Sequence, residues 1–147
     1  MLRVDIQKRY EDFFLETSWE VDKGHVIGIF GPSGSGKSLT IRSIAGLEAP
    51  DSGCIEIDGR IMFHHHLGIC VPARNRQMGY VPQNYGLFPH MSVVKNIEFA
   101  MRENDSQINR QKALSFLDRV GLVHKQSKYP YQISGGEKQR VALLRAL

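Results

Sequence analysis

The chain has 147 residues, of which 41% are hydrophobic and 23% are charged, a composition typical of one globular domain with its own core. No apolar run approaches the ~18 residues that a membrane-spanning helix needs, and no secretory signal follows Met1, so we expect a cytoplasmic protein. The net charge of +4 is dispersed, and its one local cluster, Arg74-Asn75-Arg76, is interpreted as a solvated face, so no nucleic acid partner is expected.

Two strands are predicted at the start of the chain, at residues 2–6 and 14–21, because apolar and polar side chains alternate there. An apolar run at residues 25–30 predicts a third strand, and a helical pattern at residues 39–45 follows it closely. We expect the first two strands to form an antiparallel flank beside a nucleotide-binding core.

Residues 31–38 match the pattern G-x-x-x-x-G-K-[ST], in which a strand leads into a glycine-rich turn and a helix begins. Such a turn presents backbone N–H groups to phosphate, and the helix N-terminus adds partial positive charge. Lys37 is predicted to reach the outer phosphates, and the Ser38 hydroxyl to ligate Mg²⁺. The predicted nucleotide-binding residues are Gly31, Pro32, Ser33, Gly34, Ser35, Gly36, Lys37 and Ser38. The alternative is a chance glycine-rich turn, and the strand and helix around the motif argue against it.

The middle of the chain gives weaker signals. A turn at residues 50–53 predicts a strand at 54–57 that ends in the hairpin turn Asp58-Gly59, and residues 60–76 are expected to be irregular. The run His64-His65-His66 lies in that stretch. A polar hairpin loop is the favoured interpretation of it, and a metal site is the alternative. A short strand is predicted at 78–81, just before Gln83.

The pattern turns helical from Ser92 onward. Asp105 is predicted to cap a helix whose apolar residues recur at positions 113, 116, 117 and 120, and Gly121 to end it. Ser134 and Glu137 have the spacing of a capping box, which fixes the start of a last helix. The glycines between them leave N–H groups open to a second anion, although a capping box without a ligand is the favoured interpretation when the segment is taken alone.

Three motifs in this order resemble the ATP-binding subunit of an ABC transporter: the loop at 31–38, Gln83 after an apolar segment, and the sequence from Ser134 to Glu137. The resemblance covers the whole chain. It implies an α/β fold of the P-loop NTPase type, with an antiparallel β flank and a helical subdomain. It divides the chain into residues 1–90, the P-loop core and β flank, and residues 91–147, the helical subdomain with the signature motif. The implied cofactors are ATP and Mg²⁺.

The resemblance also assigns roles to residues. Gln83 is expected to contact Mg²⁺ and the attacking water, and to act in catalysis together with Lys37. The signature residues are expected to close over the ATP that the opposite subunit of a homodimer holds, and they are Ser134, Gly135, Gly136 and Glu137. Tyr10 is the best placed aromatic residue to stack on adenine, and Phe13 and Phe14 compete for that role.

Residues 68–76 and 79–90 look like those of molybdate, tungstate and sulfate importers, and polyamine, sugar and iron importers share part of them. Pro82 departs from the aromatic residue that often precedes the glutamine in this family. Such a subunit is expected at the inner face of the cell membrane, with transmembrane permease subunits as partners and a solute-binding protein as an indirect partner. The alternatives are a soluble ABC-type ATPase of DNA repair or translation and a nucleotide-binding remnant without turnover.

The family needs an apolar run that leads into Asp-Glu after the signature helix, and later a histidine near the γ-phosphate. The sequence has one adjacent acidic pair, Glu11-Asp12, in a polar setting, and no histidine follows His124. We therefore expect an N-terminal piece of an ATPase subunit, with the C-terminal part of its core missing and no turnover of its own.

Overall fold

A computed structural model describes residues 1–101, 103 and 105–147. The chain divides into two compact units, Met1–Met78 and Gly79–Leu147. The predicted functional boundary at residue 90 lies within the second unit and stays a prediction. Among the described residues, no helix combines the length and the apolar character that crossing a membrane requires.

The first unit is built on a five-stranded antiparallel sheet. Its strands are β1 Leu2–Tyr10, β2 Phe13–Val21, β3 Ser52–Ile57, β4 Arg60–His64 and β5 Ile69–Cys70, in the spatial order β2-β1-β3-β4-β5. One helix, α1 Lys37–Ala45, follows the glycine-rich loop. The sheet and α1 share a buried apolar cluster of Val4, Ile6, Leu15, Ile44, Ile55, Met62 and Phe63. The predicted antiparallel pair at the start of the chain is confirmed.

The prediction that residues 60–76 are irregular is wrong for 60–64 and 69–70, which form β4 and β5. Asp58 and Gly59 have φ values of 48° and 80°, the left-handed pair of a tight hairpin turn, and this turn brings β4 back along β3. β4 then places Met62 and Phe63 in the core. The hairpin turn at Asp58 and Gly59 thus requires β4 as the second strand, which residues 60–64 supply.

The three consecutive histidines lie at the end of β4 and in the turn before β5. The position agrees with a polar hairpin loop. The ring centroids of His65 and His66 are 5.2 Å apart, and those of His64 and His66 are 6.2 Å apart. Within the described ranges, no group of three or more histidine, cysteine and carboxylate side chains is placed to hold a metal ion.

Two predicted strands, at residues 25–30 and 78–81, do not form in the described structure. A strand persists where a neighbouring segment supplies partners for its N–H and C=O groups, and no described segment pairs with either run. Val26 and Phe30 are 99% and 93% exposed as a result. The apolar pattern predicted two strands here, but neither run belongs to the five-stranded sheet.

Arg76 is buried, which contradicts its interpretation as part of a solvated face. The residue is 3% exposed, and its side chain donates hydrogen bonds to four backbone carbonyls. The acceptors Ser43 and Ile44, at the end of α1, lie at 2.8 and 2.7 Å, Val71 lies at 2.8 Å and Met62 at 3.4 Å. Burial lowers the pKa of Arg76. The contacts attach the end of α1 to β4 and to the segment after β5.

The second unit is helical. It contains α2 Val93–Glu98, α3 Ser106–Arg119 and α4 Gly135–Ala146, with short 3-10 turns at Val123–Lys125 and Pro130–Gln132. The three helices share a buried apolar cluster of Val93, Val94, Ile97, Ala113, Leu117, Leu122, Ile133, Val141 and Leu144.

Both predicted ends of α3 are confirmed. The Asp105 carboxylate accepts a hydrogen bond from the Gln107 N–H at 2.7 Å, which satisfies one of the unpaired N–H groups at the helix start. Gly121 has a φ of 68°, and the Leu122 N–H donates to the Leu117 carbonyl at 2.8 Å. This left-handed glycine with its backward hydrogen bond is the Schellman ending of a helix.

Candidate functional site

The glycine-rich loop packs closely on the sheet just before α1. Gly36 has a φ of 86°, a backbone conformation that glycine adopts without strain. A Cβ atom at Gly36 would lie 2.8 Å from Leu15 Cδ1 and 3.0 Å from Phe13 Cζ. Glycine is therefore required here both by the backbone conformation and by the lack of space.

The Lys37 ammonium group folds back onto the loop. It donates hydrogen bonds to the carbonyls of Gly31 and Pro32 at 2.8 and 2.5 Å, and it lies 3.3 Å from Ser35 Oγ. These acceptors are neutral, and phosphate oxygens form stronger, charge-assisted bonds with the same group. The structure thus brings together the lysine and the loop residues that the sequence assigns to one site.

The N-terminus of α1 has no side-chain cap. Gly36 occupies the N-cap position, and no acidic residue lies in the first helical turn. Ser38 is exposed in that turn. Uncapped N–H groups at the positive end of a helix suit an anion, and a hydroxyl suits a hard cation. The residues present therefore fit Mg-ATP.

The three candidate aromatic residues have different surroundings. Tyr10 ends β1 and is 45% exposed, and Glu48 beside it raises the pKa of the Tyr10 hydroxyl. Phe14 is 48% exposed and lies under the Arg9 guanidinium, 5.3 Å from its carbon to the ring centroid. Phe13 packs inward against the apolar cluster. A cavity of about 360 Å³ at this hairpin is lined by residues 9–14. Which ring stacks on adenine stays a prediction.

Gln83 is exposed and begins a turn of residues 83–86, in which Tyr85 and Gly86 are partly buried. Tyr85 and Gly86 have φ values of 63° and 58°, and the Tyr85 N–H donates to the Pro82 carbonyl at 2.8 Å. A left-handed conformation is unusual for a tyrosine. The turn is therefore held in its shape by contacts with its surroundings.

Sequence reasoning missed Asn96, which organises the segment after this turn. Asn96 is 0% exposed in α2. Its Oδ1 accepts from the Phe88 N–H at 2.8 Å, and its Nδ2 lies 3.2 Å from the Phe88 carbonyl. The carbonyls of Met91 and Ser92 both lie 3.1 Å from Nδ2. One amide thus satisfies several backbone groups. The available signal was the position of Asn96, three residues after Val93 and next to Ile97, on the apolar side of a short helix.

The predicted capping box at the start of α4 is confirmed. The Ser134 hydroxyl accepts from the Glu137 N–H at 3.3 Å, and the Glu137 carboxylate accepts from the Ser134 N–H at 2.7 Å. The second bond lowers the pKa of Glu137. Gly135 and Gly136 are exposed and have no side chain to cover the helix N-terminus. A ligand at this position stays a prediction.

Comparison with known proteins gives consistent matches. Residues 14–147 match the family model for the ABC transporter. The molybdenum import ATP-binding protein ModC of Mesorhizobium japonicum is 42% identical over 146 residues, which are 99% of this chain and 39% of that protein. The sulfate/thiosulfate import ATP-binding protein CysA of Vibrio cholerae is 41% identical over an alignment of 156 positions, which covers 99% of this chain and 40% of that protein. The chain thus spans about two fifths of the length of these curated relatives.

A solved structure is also similar over 100% of this chain. It is a dimeric ATP-binding cassette in a post-hydrolysis state, bound to ADP and phosphate. The sequences are 28% identical, the TM-score is 0.79, and the match covers 69% of that cassette.

Proposed function

The chain belongs to the ABC transporter family, and from that premise we propose that it forms part of the ATP-binding subunit of a solute importer. The family and structural matches confirm the expected fold class, an α/β P-loop NTPase with an antiparallel β flank and helices. In this proposal ATP hydrolysis drives the uptake of an oxyanion such as molybdate, tungstate or sulfate. Support comes from two similar import proteins, one for molybdenum and one for sulfate or thiosulfate.

The observation that carries the proposal is the Lys37 ammonium folded onto the loop at an uncapped helix N-terminus. On binding ATP, Lys37 exchanges neutral carbonyls for phosphate oxygens, which bind a cation more strongly. Ser38 and Gln83 would hold Mg²⁺, which when bound neutralises charge on the phosphates. Gln83 in addition orients the attacking water.

The second half of each nucleotide site is proposed to lie on a partner copy. The exposed start of α4, from Ser134 to Glu137, would contact the phosphates of the ATP that the partner's loop holds. The capping box supports this role because it anchors the helix start while Gly135 and Gly136 leave its N–H groups accessible. The dimeric state of the similar cassette is a further support.

The permease contact is proposed for an exposed groove in the second unit, close in sequence to Gln83. The groove has a volume of about 470 Å³ and is lined by His90, Met91, Lys95, Glu98 and Phe99. Phe99 is 62% exposed, and its ring packs edge to face on Phe88 with centroids 4.7 Å apart. An apolar floor with one cation and one anion beside it suits a short amphipathic helix of the permease. The subunit would then sit at the inner face of the membrane.

Lys37→Ala tests the nucleotide site. In the complete gene product, calorimetric titration with MgATP is expected to show binding at least about tenfold weaker, because charge-assisted bonds to phosphate are lost. Lys23→Ala, in the exposed turn after β2, is the matched control and should bind within about twofold of wild type. Equal affinity in wild type and Lys37→Ala defeats the assignment.

Transport is tested in cells that lack their own molybdate and sulfate import ATPases. Expression of the complete gene with the permease genes beside it should restore uptake of one of these anions. Restored uptake of a polyamine or a sugar would contradict the solute class. A soluble protein with ATPase activity and no co-purifying permease would favour an ATPase of another pathway.

Gln83→Ala tests the coupling role in the same complex. ATP binding should stay within a few-fold of wild type, while hydrolysis stimulated by solute should fall. Asn84→Ala, at the neighbouring exposed position, is the control and should retain stimulation. If binding collapses and stimulation survives, Gln83 has a structural role instead.

A further inference from the structure

We propose that Arg145 is a positioning residue that ties the signature helix α4 to the Gln83 turn, so that these two motifs move together. The role of this tie in transport rests on the proposed function. All residues that form the tie lie within the second unit.

Arg145 lies near the C-terminal end of α4. Its Nη1 donates to the Gly86 carbonyl at 2.7 Å, and its Nη2 donates to the Tyr85 carbonyl at 3.3 Å. Its guanidinium carbon lies 5.2 Å from the centroid of the Phe88 ring. One side chain thus holds two consecutive carbonyls and an aromatic ring in the segment that follows Gln83. The planar fork and the stacking surface belong to arginine, and lysine lacks both.

The segment that Arg145 holds requires external support. Tyr85 and Gly86 are both left-handed, and this conformation costs a tyrosine free energy. A Cβ atom at Gly86 would lie 3.0 Å from Pro82 Cγ and 3.2 Å from Arg145 Nη2, so the guanidinium fits the turn tightly. Partial burial lowers the pKa of Arg145, and no anionic group among the described residues raises it. The carbonyls of the turn are therefore the groups that compensate for its lost hydration.

The Tyr85 side chain of the same turn extends toward the other end of α4. A Cβ atom built at Gly135, the first residue of the helix, would lie 3.8 Å from the Tyr85 hydroxyl oxygen. Tyr85 thus has its hydroxyl near the start of α4, while its carbonyl accepts a hydrogen bond from Arg145 near the end. Asn96 holds the next part of the segment at Phe88.

These contacts have a consequence for the proposed importer. When the start of α4 engages phosphate, any displacement of the helix is transmitted by Arg145 to residues 84–88. The permease groove begins with His90, directly after them. The tie would therefore make the permease contact respond to nucleotide at the signature motif.

Arg145→Met tests the tie, because it keeps an apolar stem and removes the donors. Hydrogen–deuterium exchange is measured on the complete gene product, without nucleotide and with MgATP. Without nucleotide, amides of residues 84–88 should exchange faster in the variant, by a factor on the order of ten, while those of 139–143 inside α4 stay unchanged. MgATP should alter exchange at 84–88 in wild type and leave it unaltered in the variant. Affinity for MgATP should stay within about twofold.

A further variant separates the tie from a general loss of structure. Arg145→Lys keeps the charge and loses the fork, so exchange at 84–88 should rise by a smaller factor, about threefold. If Arg145→Met does not fold, Arg145→Lys decides alone.

Arg119→Met is the matched control, because Arg119 also stacks on a ring, that of Phe116 at 6.0 Å, on a different helix. It should leave exchange at 84–88 unchanged. Equal exchange of these amides in wild type and Arg145→Met without nucleotide overturns the proposal. Faster exchange spread evenly over the second unit overturns it too, since Arg145 would then only stabilise that unit. If wild type binds no MgATP, the proposed function fails, while nucleotide-free exchange still decides whether the tie exists.

Discussion

At the scale of residues, each unit contains a buried polar side chain that holds irregular backbone. Arg76 donates to carbonyls at the end of α1, and Asn96 bonds with the segment around Phe88. A buried polar group without a partner destabilises the folded state. Each of these two side chains therefore stabilises its unit, because the backbone groups that it bonds satisfy its polar atoms.

Arg76→Met is expected to lower the free energy of unfolding by about 2 to 4 kcal/mol, because the buried Ile44 carbonyl loses its charged donor. Denaturant unfolding of the complete gene product measures the change. Arg74→Met replaces an exposed arginine two residues earlier and should change stability by less than about 0.5 kcal/mol. Equal losses in the two variants would mean that charge, and not the buried contacts, is responsible.

At the scale of elements, helices and strands depend on different kinds of interaction. The ends of α3 and the start of α4 follow from local signals, such as Asp105, Gly121 and the box of Ser134 with Glu137. A strand formed only where a neighbouring segment supplied hydrogen-bond partners for its backbone. The hairpin turn after β3 supplied a partner for β4, whereas the more apolar run at residues 25–30 stayed without one.

The start of α4 is expected to be sensitive to acid. The hydrogen bond from the Ser134 N–H lowers the pKa of Glu137 below its ordinary value of 4.5 in the folded protein. Because the folded pKa is the lower one, the stabilisation is fully present above pH 4.5 and is lost as the pH falls through the folded pKa. Amide exchange at residues 135–138, corrected for intrinsic rates, should therefore increase at acid pH.

Glu137→Gln is the control for this pH dependence. The amide can accept the same hydrogen bond from Ser134 and does not ionise, so the increase should disappear. The same acid dependence in both proteins would assign the effect to another group.

At the scale of the whole molecule, the described residues expose apolar side chains on a backbone without strand partners. Val26 and Phe30 are almost fully exposed. Apolar surface of this kind mediates association between proteins, and unpaired backbone can add to a sheet of another molecule. We infer that residues 1–147 need a covering partner or further chain for full solubility.

Residues 1–147 expressed alone are expected to aggregate and to release no phosphate from ATP at a rate typical of the family. The exposed run at 25–30 drives the first effect. The second follows because a missing general base commonly lowers the rate by about 10² to 10⁴. Size-exclusion chromatography and a phosphate-release assay measure the two effects.

Val26→Ser combined with Phe30→Ser is the matched variant for aggregation. It should increase the monomeric fraction without restoring turnover. A monodisperse wild-type chain of residues 1–147 with ordinary turnover would contradict both expectations.

The sequence by itself determined the features that depend on near neighbours. The glycine-rich loop motif occupies eight consecutive residues, and the helix caps at Asp105 and Ser134 join groups two or three residues apart. The strands β1 and β2 were also predictable, because apolar and polar side chains alternate along each of them, as expected when one face of a sheet is buried. The ordered motifs then identified the family, since each is read directly from the residue order.

The tertiary structure alone decided which side chains join distant parts of the chain. Arg76 and Ser43 are 33 residues apart, and Arg145 and Gly86 are 59 residues apart. It also decided that the run at 25–30 remains exposed and that Arg76 is buried. An arginine or an apolar run has the same sequence whether it is buried or exposed. Its burial depends on which distant segments pack against it, and those contacts exist only in the tertiary structure.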